Sequence, residues 1–431
     1  MKAIILLILT LCYSFTNSFR SLDESGLVSI PFSTVTEKNY LIAPVSIGTP
    51  EQNLNLVLDI GSERTWIYME EYTRQSSTSY VDIEYPPESL TQDEFAYSGT
   101  LSNETFKIGE KEVNDFTFLL ADKITGATDI KGALSLGREY DSKKFSMVYR
   151  LTASAGTFFN AFSLKFNEDD NKGTLYIGDL SSELQKETQY MDVCKLANNE
   201  QKIKWSCTLT HLFIGDLGTN VEELKEEKDK MYVIEEKSSK VFEVNKIATF
   251  ETVFNKILFP FNEGKQYLQY LEDNYFLNEK GEKLCKSIND ENQISFECNK
   301  TEVEQLKNLN FVFDGKLDLY LKATELFNCF GDYCYFLIGT NKNVDRFVMG
   351  VSLLRKFHTV FDYTSEDLTF HSKTNKAKVR INSGMSGFSK FMIFLLVVGL
   401  ITLIGGAGYY FFVRRKKLLR KQIETQIYEK F

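Results

Sequence analysis

The chemistry that this sequence could perform starts with Asp59, a carboxylate at the end of an apolar run. The preceding residues 54–58 read LNLVL, a pattern typical of a buried β-strand, and Ile-Gly-Ser follows Asp59. Such a carboxylate can transfer protons when a second carboxylate lies close, because one of the two then stays protonated. An ordinary turn after a strand gives the same residues. The interpretation therefore depends on the rest of the chain.

The longer stretch around Asp59 resembles a known family. SIGTPEQNLNLVLDIGSERTWIY (46–68) is similar, in the order and spacing of its motifs, to the first active-site segment of pepsin-like aspartic proteases. The resemblance implies that Asp59 is the first catalytic acid. It also implies that Gly61 and Ser62 support this acid and the bound substrate, and that Trp66 packs beside the hairpin that closes over the substrate, the flap.

Three further segments extend the resemblance. FAYSGTLSNETFKIG (95–109) is similar to the flap, with its substrate-binding tyrosine at Tyr97, and GALSLG (132–137) is similar to the closing strand of the first lobe. FVMGVSLLRKFHTVFDY (347–363) is similar to the closing segment of the second lobe. The resemblance implies a mostly β, bilobal pepsin-like fold with a central cleft, a peptide or protein ligand in that cleft, and no cofactor.

The second half departs from the family pattern. Aligning KMYVIEEKSSKVFEV (230–244) with the second active-site strand places Glu235 at the second catalytic position, where the family has Asp. It also puts Lys237 at a glycine position and keeps Ser238 as a substrate-binding residue. In the first motif, Ile60 lacks the hydroxyl through which the family's Thr joins the two loops. Because Lys237 brings a cation and a Cβ, these changes oppose a shared proton, and we expect weak or lost proteolysis.

Most of the chain between residues 36 and 376 reads as short strands of β-branched and aromatic residues separated by Gly, Asn and Asp turns. Helical patterns are few, with the clearest at Ile247–Leu258 and a short one at Ser352–Phe357. An apolar strand with an acidic turn, followed later by two apolar residues and a small one, occurs twice. This repeat predicts an N-terminal lobe at 36–187 and a C-terminal lobe at 188–376.

Both ends of the chain predict a single-pass type I membrane protein of the secretory pathway. Residues 1–18 combine Lys2, an apolar run and a small polar end, as in a cleaved signal peptide. Residues 391–413 carry no charge over the length of one bilayer crossing. The basic RRKKLLRK that follows predicts a cytoplasmic tail at 414–431. We expect a plasma membrane, endolysosomal or vacuolar location.

Charge and cysteine content agree with this topology. The net charge is −9 although the tail is basic, so residues 19–390, the ectodomain, are acidic, which argues against nucleic acid as a partner. We expect a monomer. After the signal peptide an even set of cysteines remains, which predicts disulfides in an oxidising compartment. Six cysteines allow 15 connectivities, among which the sequence does not choose. Their order along the chain favours pairing of neighbours, Cys194 with Cys207, Cys285 with Cys298 and Cys329 with Cys334.

Two other classes of site can be judged from short patterns. Asn103 in Asn-Glu-Thr and Asn299 in Asn-Lys-Thr match the acceptor pattern for N-glycosylation. No CxxC pair occurs in the sequence and there are only three histidines, so we expect no metal site.

Three functions fit the sequence. The first is a membrane-anchored, aspartic-type endopeptidase relative, with proteolysis weakened, lost, or retained in full through an Asp59/Glu235 pair. The second is a non-catalytic pseudoprotease that binds or sorts extended peptides. The third is a glycosylated surface or sorting protein in which the cleft is vestigial.

Overall fold

The structure is a computed structural model. It describes residues 27–35, 40–62, 64–83, 87–92, 95–126, 129–138, 145–154, 160–167, 171–180, 184, 191–197, 204–215, 222–226, 229–235, 241–278, 280–290, 293–371, 378–382 and 415. No helix within these ranges is long and apolar enough to cross a membrane. The predicted signal peptide 1–18 and the predicted span 391–413 lie outside them.

The described chain is built mainly of strands. In chain order they are β1 Leu27–Thr34, β2 Leu41–Ile47, β3 Gln52–Asp59, β4 Trp66–Tyr68, β5 Val81–Asp82, β6 Glu88–Gln92, β7 Phe95–Ile108, β8 Lys111–Gly126, β9 Gly132–Ser135, β10 Ala161–Phe166, β11 Lys172–Gly178, β12 Met191–Lys195, β13 Ser206–Ile214, β14 Glu222–Glu226, β15 Asp229–Glu235, β16 Val241–Phe250, β17 Ile257–Pro260, β18 Cys285–Asn289, β19 Gln293–Asn299, β20 Leu309–Phe313, β21 Leu317–Leu321, β22 Phe327–Phe330, β23 Tyr333–Phe336, β24 Ile338–Asn341, β25 Phe347–Met349, β26 His358–Asp362, β27 Asp367–His371 and β28 Lys378–Asn382.

Helices are short by comparison. The α-helices are α1 Met147–Ser154, α2 Phe261–Asn274, α3 Lys300–Val303 and α4 Val351–Leu354, and single 3₁₀ turns occupy Arg74–Ser76 and Ala323–Leu326. The predicted helix at Ser352–Phe357 overlaps α4. The predicted helix at Ile247–Leu258 is wrong, because this stretch forms the end of β16, a loop and the start of β17. Ala248, Phe250, Ile257 and Leu258 are buried on strands that lie inside a sheet, whereas Ile247 is exposed.

The strands form two large sheets and one small one. A 14-stranded sheet runs β12-β27-β26-β10-β11-β1-β2-β3-β9-β4-β8-β7-β5, with β6 paired to β7. An 11-stranded sheet runs β21-β20-β13-β16-β25-β17-β24-β19-β23-β22, with β18 paired to β19, and β14, β15 and β28 form the third sheet. The mostly β fold predicted from the sequence is confirmed.

The first sheet contains strands from both halves of the chain. β10 pairs antiparallel with β26, which comes from the C-terminal part of the sequence. Across this pairing the rings of Phe162 and Phe361 stack at 4.5 Å between centroids. Trp205 packs edge-on against Phe361 and donates its indole N–H to the carbonyl of Leu136 at 3.2 Å. All four of these side chains are buried, so the aromatic contacts join the two halves in one core.

The two halves repeat one arrangement of three strands. In the first half, β3 runs parallel to β9 and β4 runs antiparallel to β9, with a loop at 60–65 between β3 and β4. In the second half, β16 runs parallel to β25 and β17 runs antiparallel to β25, with a loop at 251–256 between β16 and β17. The repeat identifies these two loops as structural equivalents.

All three predicted disulfides are confirmed. They join Cys194 to Cys207, Cys285 to Cys298 and Cys329 to Cys334. The second and third each link directly opposite residues of an antiparallel hairpin, which explains why neighbours in sequence are partners.

Candidate active site

Asp59 ends β3 and is completely buried. The backbone N–H of Gly61 donates to Asp59 Oδ1 at 2.8 Å, and the N–H of Leu136, just after β9, donates to the Asp59 carbonyl at 2.7 Å. A backbone donor aimed at a carboxylate stabilises its ionised form. The first loop therefore holds its carboxylate in a fixed position, as the motif predicted.

The end of β9 is held against this loop by hydrogen bonds and by a close backbone contact. Ser135 donates its hydroxyl to the carbonyl of Ser62 at 2.5 Å, and its N–H donates to Thr65 Oγ1 at 3.1 Å. A Cβ atom added at Gly137 would lie 2.0 Å from the Ser62 carbonyl oxygen. Only glycine therefore fits at this contact. Ser62 itself is buried, and its hydroxyl has no hydrogen-bond partner among the described residues.

The second loop meets the first through Thr252. The N–H of Ile60 donates to Thr252 Oγ1 at 3.2 Å, and the Thr252 hydroxyl donates to the carbonyl of Leu58 at 2.5 Å. Ile60 is fully buried and has no hydroxyl with which to return the bond. Thr252, on the second loop, therefore joins the two loops.

Glu251 precedes this threonine and is the carboxylate that faces Asp59. Both side chains are completely buried. A Cβ atom added at Gly61 would lie 3.4 Å from Asp59 Oδ1 and 3.4 Å from Glu251 Oε2, so these oxygens are separated by at most twice that distance. The structure therefore brings two carboxylates together across the repeated loops.

One oxygen of Glu251 is surrounded by donors. Oε1 accepts from Lys204 Nζ at 3.0 Å, from Arg346 Nη2 at 2.6 Å and Nε at 3.1 Å, and from Thr249 Oγ1 at 3.0 Å. Lys204 and Arg346 have only 10% and 15% of their side chains exposed. By contrast, Oε2 is buried without a hydrogen-bond partner among the described residues. The carboxylate thus has one oxygen committed to two cations and one facing Gly61.

Tyr97 packs against Trp66, the contact that the resemblance implied, and its substrate-binding role stays a prediction. Tyr97 sits on β7, between β6 and β8, and its ring stacks on Trp66 at 4.6 Å with an interplanar angle of 19°. Both rings are buried, in a small cluster against which Val253 of the second loop also packs. The flap and both loops therefore meet at one place.

Comparison with known proteins agrees with this geometry. The sequence model of the family "Eukaryotic aspartyl protease" matches residues 39–373. The chain belongs to the eukaryotic aspartyl protease family. The crystal structure of an aspartic proteinase from Irpex lacteus superposes with a TM-score of 0.61 at 15% sequence identity, covering 80% of this chain and 97% of that chain. No curated protein sequence matches the chain at a significant level.

The placement of Glu235 at the second catalytic position of this aspartyl protease relative is wrong. Glu235 ends β15, which pairs with β14 as a hairpin of the small sheet, whereas the loop equivalent to that of Asp59 begins at Glu251. The side chain of Glu235 and all of residues 236–240, including Ser238, lie outside the described residues. The substrate-binding role of Ser238 stays a prediction.

A sequence signal for Glu251 was present but weak. ATFETVFNKILFP (248–260) keeps a threonine directly after the acid and an apolar strand after the loop. It lacks the family's Asp and Gly, which Glu251 and Val253 replace. The apolar run before Glu235 matched the strand pattern equally well, and the two are distinguished by the strand pairings of the repeat and by the cross-loop hydrogen bonds of Thr252.

A small pocket borders the second loop. It encloses ≈ 180 Å³ and is lined on one side by residues 253–256 and on another by residues 339–341. Lys256 is one of the lining residues, and burial lowers its pKa. In the described part of the chain, no group of three or more His, Cys, Asp or Glu side chains is placed to hold a metal ion.

The two glycosylation acceptors differ in environment. Asn103 is half-buried on β7, and its Oδ1 accepts the hydroxyl of Thr117 at 2.7 Å. Asn299 is exposed at the end of β19. Their modification stays a prediction.

Proposed function

We propose that this protein is a membrane-anchored, pepsin-like member of its family that binds extended peptides and has weak or lost proteolysis. The observation that carries the proposal is the pair of buried cations, Lys204 and Arg346, on one oxygen of Glu251.

The reason lies in the proton transfers that two facing carboxylates perform. One takes a proton from water while the other gives a proton to the substrate, so each group must be able to change its charge in the cycle. Glu251 is the carboxylate that compensates the charge of two buried cations, Lys204 and Arg346. A carboxylate committed to a buried ion pair is poorly suited to exchanging protons with water and substrate, so we expect slow or absent catalysis.

The loops weaken the pair further. Thr252 supplies side-chain hydrogen bonds that join the two loops, and Ile60 cannot supply the reciprocal one. Val253 stands where the family has the glycine whose backbone approaches the second acid. A carboxylate pair shares a proton only when its loops hold both groups close.

Ligand binding depends on parts that are retained. The flap hairpin is present, with Tyr97 stacked on Trp66, and the two loops are joined beneath it. A hairpin beside a cleft binds extended peptides through backbone hydrogen bonds, which need neither carboxylate to change charge. Fold and cleft can therefore persist after the chemistry has weakened.

A specific observation favours a second candidate, an active acid endopeptidase that uses Asp59 with Glu251. Glu251 Oε2 has no hydrogen-bond partner in the described part of the chain and faces Gly61, so this oxygen is not committed to a donor and lies toward the loop that carries Asp59. The same two carboxylates would then serve as the acid and the base.

Membrane anchoring is supported by sequence alone. The signal-like 1–18, the uncharged 391–413 and the basic tail 414–431 together fit a lumenal ectodomain with one crossing.

Cleavage of a peptide library by the full-length protein in detergent micelles, between pH 3 and pH 7, tests the proposal. We expect retention of extended peptides and no cleavage beyond that of an Asp59→Ala variant. Robust cleavage that both Asp59→Ala and Glu251→Gln abolish would show the active enzyme instead. Glu251→Gln keeps the shape of the side chain, and Glu235→Ala is the matched control that should change nothing.

A further inference from the structure

An unusual group of exposed rings lies far along the sequence from the active-site loops. Phe330, Tyr333 and Tyr335 are exposed by 65%, 54% and 37%, and they are three of the six large apolar side chains exposed in the described residues. Phe330 and Tyr333 are directly opposite partners of the β22–β23 hairpin, and the Cys329–Cys334 disulfide closes that hairpin. These three side chains are called the aromatic face below.

The neighbouring strand places a glycosylation acceptor on the same face. β19 pairs antiparallel with β23, with Asn299 directly opposite Tyr333 and Glu297 directly opposite Tyr335. Directly opposite residues in an antiparallel pair have their side chains on one face, about 5 Å apart at Cβ. Phe330 lies one strand further, at about 10 Å from Asn299 for two strand spacings. The side chain of Asn299 therefore lies on the same side of the sheet as the aromatic face, next to Tyr333.

Asn299 is exposed and directly precedes α3, and its backbone N–H donates to Glu302 Oε2 at 2.8 Å. This contact uses the backbone of Asn299 and not Nδ2, the atom that carries an N-glycan.

We propose that an N-linked glycan on Asn299 covers the aromatic face, with its first sugars stacked on Tyr333 and Phe330. The apolar C–H face of a pyranose ring carries partial positive charge and fits the negative face of an aromatic ring. Because the glycan is attached next to the rings, its sugars are present at high effective concentration, and weak stacking is sufficient to keep them on the rings. An anionic lipid surface fits less well, because Glu297 and the exposed Asp332 flank the rings.

The inference rests on the lumenal topology proposed above and not on peptide binding or catalysis. Thr301, the third residue of the acceptor, is exposed on α3, so it can be changed without disturbing the core. Thr301→Ala removes the acceptor and keeps the contact between the Asn299 N–H and Glu302. Thr301→Ser keeps both and is the matched control.

The experiment uses the full-length protein from a eukaryotic secretory host, with glycan occupancy read by mass spectrometry. We expect Asn299 to be occupied in the wild type and in Thr301→Ser. Thr301→Ala should lower Tm by about 1–3 °C and increase the binding of a hydrophobic dye several-fold. Tyr333→Ser should lower Tm more in the glycosylated background than in the Thr301→Ala background, because only the first contains the stacked sugar.

Several results would overturn the inference. Equal effects of Tyr333→Ser in both backgrounds would show that the glycan does not touch the ring. A dimer of the glycosylated protein that Tyr333→Ser dissociates would show that a second copy covers the face. An unmodified Asn299 on an ectodomain protected inside sealed vesicles would reject the inference and leave the topology intact, whereas an unprotected ectodomain would reject both.

Discussion

At the scale of single residues, Glu251 decides what the active-site loops can do. Its side chain is fully buried and its Oε1 contacts two cations, Lys204 and Arg346. These three charged groups form a structural ion triad, which is a different role from carrying protons. A buried triad is costly to break and is often replaceable as a whole by apolar side chains. The stability of the protein therefore provides a test that does not depend on any substrate.

We expect Lys204→Met alone to lower the free energy of unfolding by about 1–3 kcal/mol, because Glu251 loses a charged hydrogen-bond donor. The combined variant Lys204→Met, Arg346→Met and Glu251→Leu should recover most of that loss, since no buried charge is left unpaired. Urea unfolding of both variants measures the difference. If the triple variant were less stable than the single one, the triad would be a net source of stability, contrary to this prediction.

Thr252 is the second residue on which the site depends. Thr252→Val keeps the shape of the side chain but leaves the N–H of Ile60 and the carbonyl of Leu58 buried without this partner. Each of these two groups costs about 1–3 kcal/mol, so we expect a loss of about 2–6 kcal/mol in the free energy of unfolding. Thr252→Ser retains the hydroxyl and should lose less than half as much. Similar losses for Val and Ser would indicate that packing of the methyl group, not the hydrogen bonds, joins the loops.

At the scale of elements, the first loop was predictable and the second was not. The first loop keeps Asp59 and Gly61, residues whose chemistry the family needs, so its motif identified the turn and the place of Trp66, and the separate motif at 95–109 identified the strand that carries Tyr97. The second loop has lost Asp and Gly, and a strand ending in an acid occurs both at Glu235 and at Glu251. Hydrogen bonds between loops far apart in sequence are set by tertiary structure, which a single sequence pattern does not contain.

The second loop also contains a group that makes stability depend on pH. Burial lowers the pKa of Lys256, so the folded protein binds this proton less tightly than the unfolded chain does. Stability therefore rises with pH between the lowered pKa and the ordinary lysine pKa of about 10.4, and the penalty is fully present at lower pH. Lys256→Met should raise Tm at pH 7, and its advantage should shrink as the pH rises through that window.

Thermal melts of Lys256→Met between pH 7 and pH 10.5 measure this effect. Lys342→Met is the matched control, because Lys342 is exposed beside the same pocket. An advantage of Lys256→Met that stayed constant up to pH 10.5 would mean that better packing, and not the buried charge, causes it.

At the scale of the whole molecule, the sequence predicted two similar lobes but not the way in which they share a sheet. β26 and β27 come after the second repeat and yet extend the sheet of the first half through β10. Their sequence, alternating and apolar, is that of any strand, and partner choice is not encoded in such a pattern. The local disulfides were predictable for the opposite reason, because hairpin partners are close in the chain.

Sharing one sheet should make the two halves unfold together. Phe162 is fully buried and stacks on Phe361 across the β10–β26 pairing, so Phe162→Ala should lower the free energy of unfolding by about 3–5 kcal/mol. Phe162→Leu retains most of the volume and should cost clearly less. Calorimetry of both variants should show one transition. Two resolved transitions in the wild type would mean that the halves unfold independently.

The last prediction concerns how the chain is oriented in a membrane. The seven Lys and Arg residues of 414–431 directly follow the uncharged 391–413, and such basic flanks stay on the cytoplasmic side. In sealed microsomes we expect added protease to remove an epitope at the C-terminus and to leave the acidic ectodomain intact. Replacing the Arg and Lys residues of RRKKLLRK with Gln should reduce the fraction of correctly oriented chains, while the same number of changes at exposed ectodomain lysines should not. A protected C-terminus with a digested ectodomain would reverse the topology, and the lumenal location on which glycosylation depends would then be excluded.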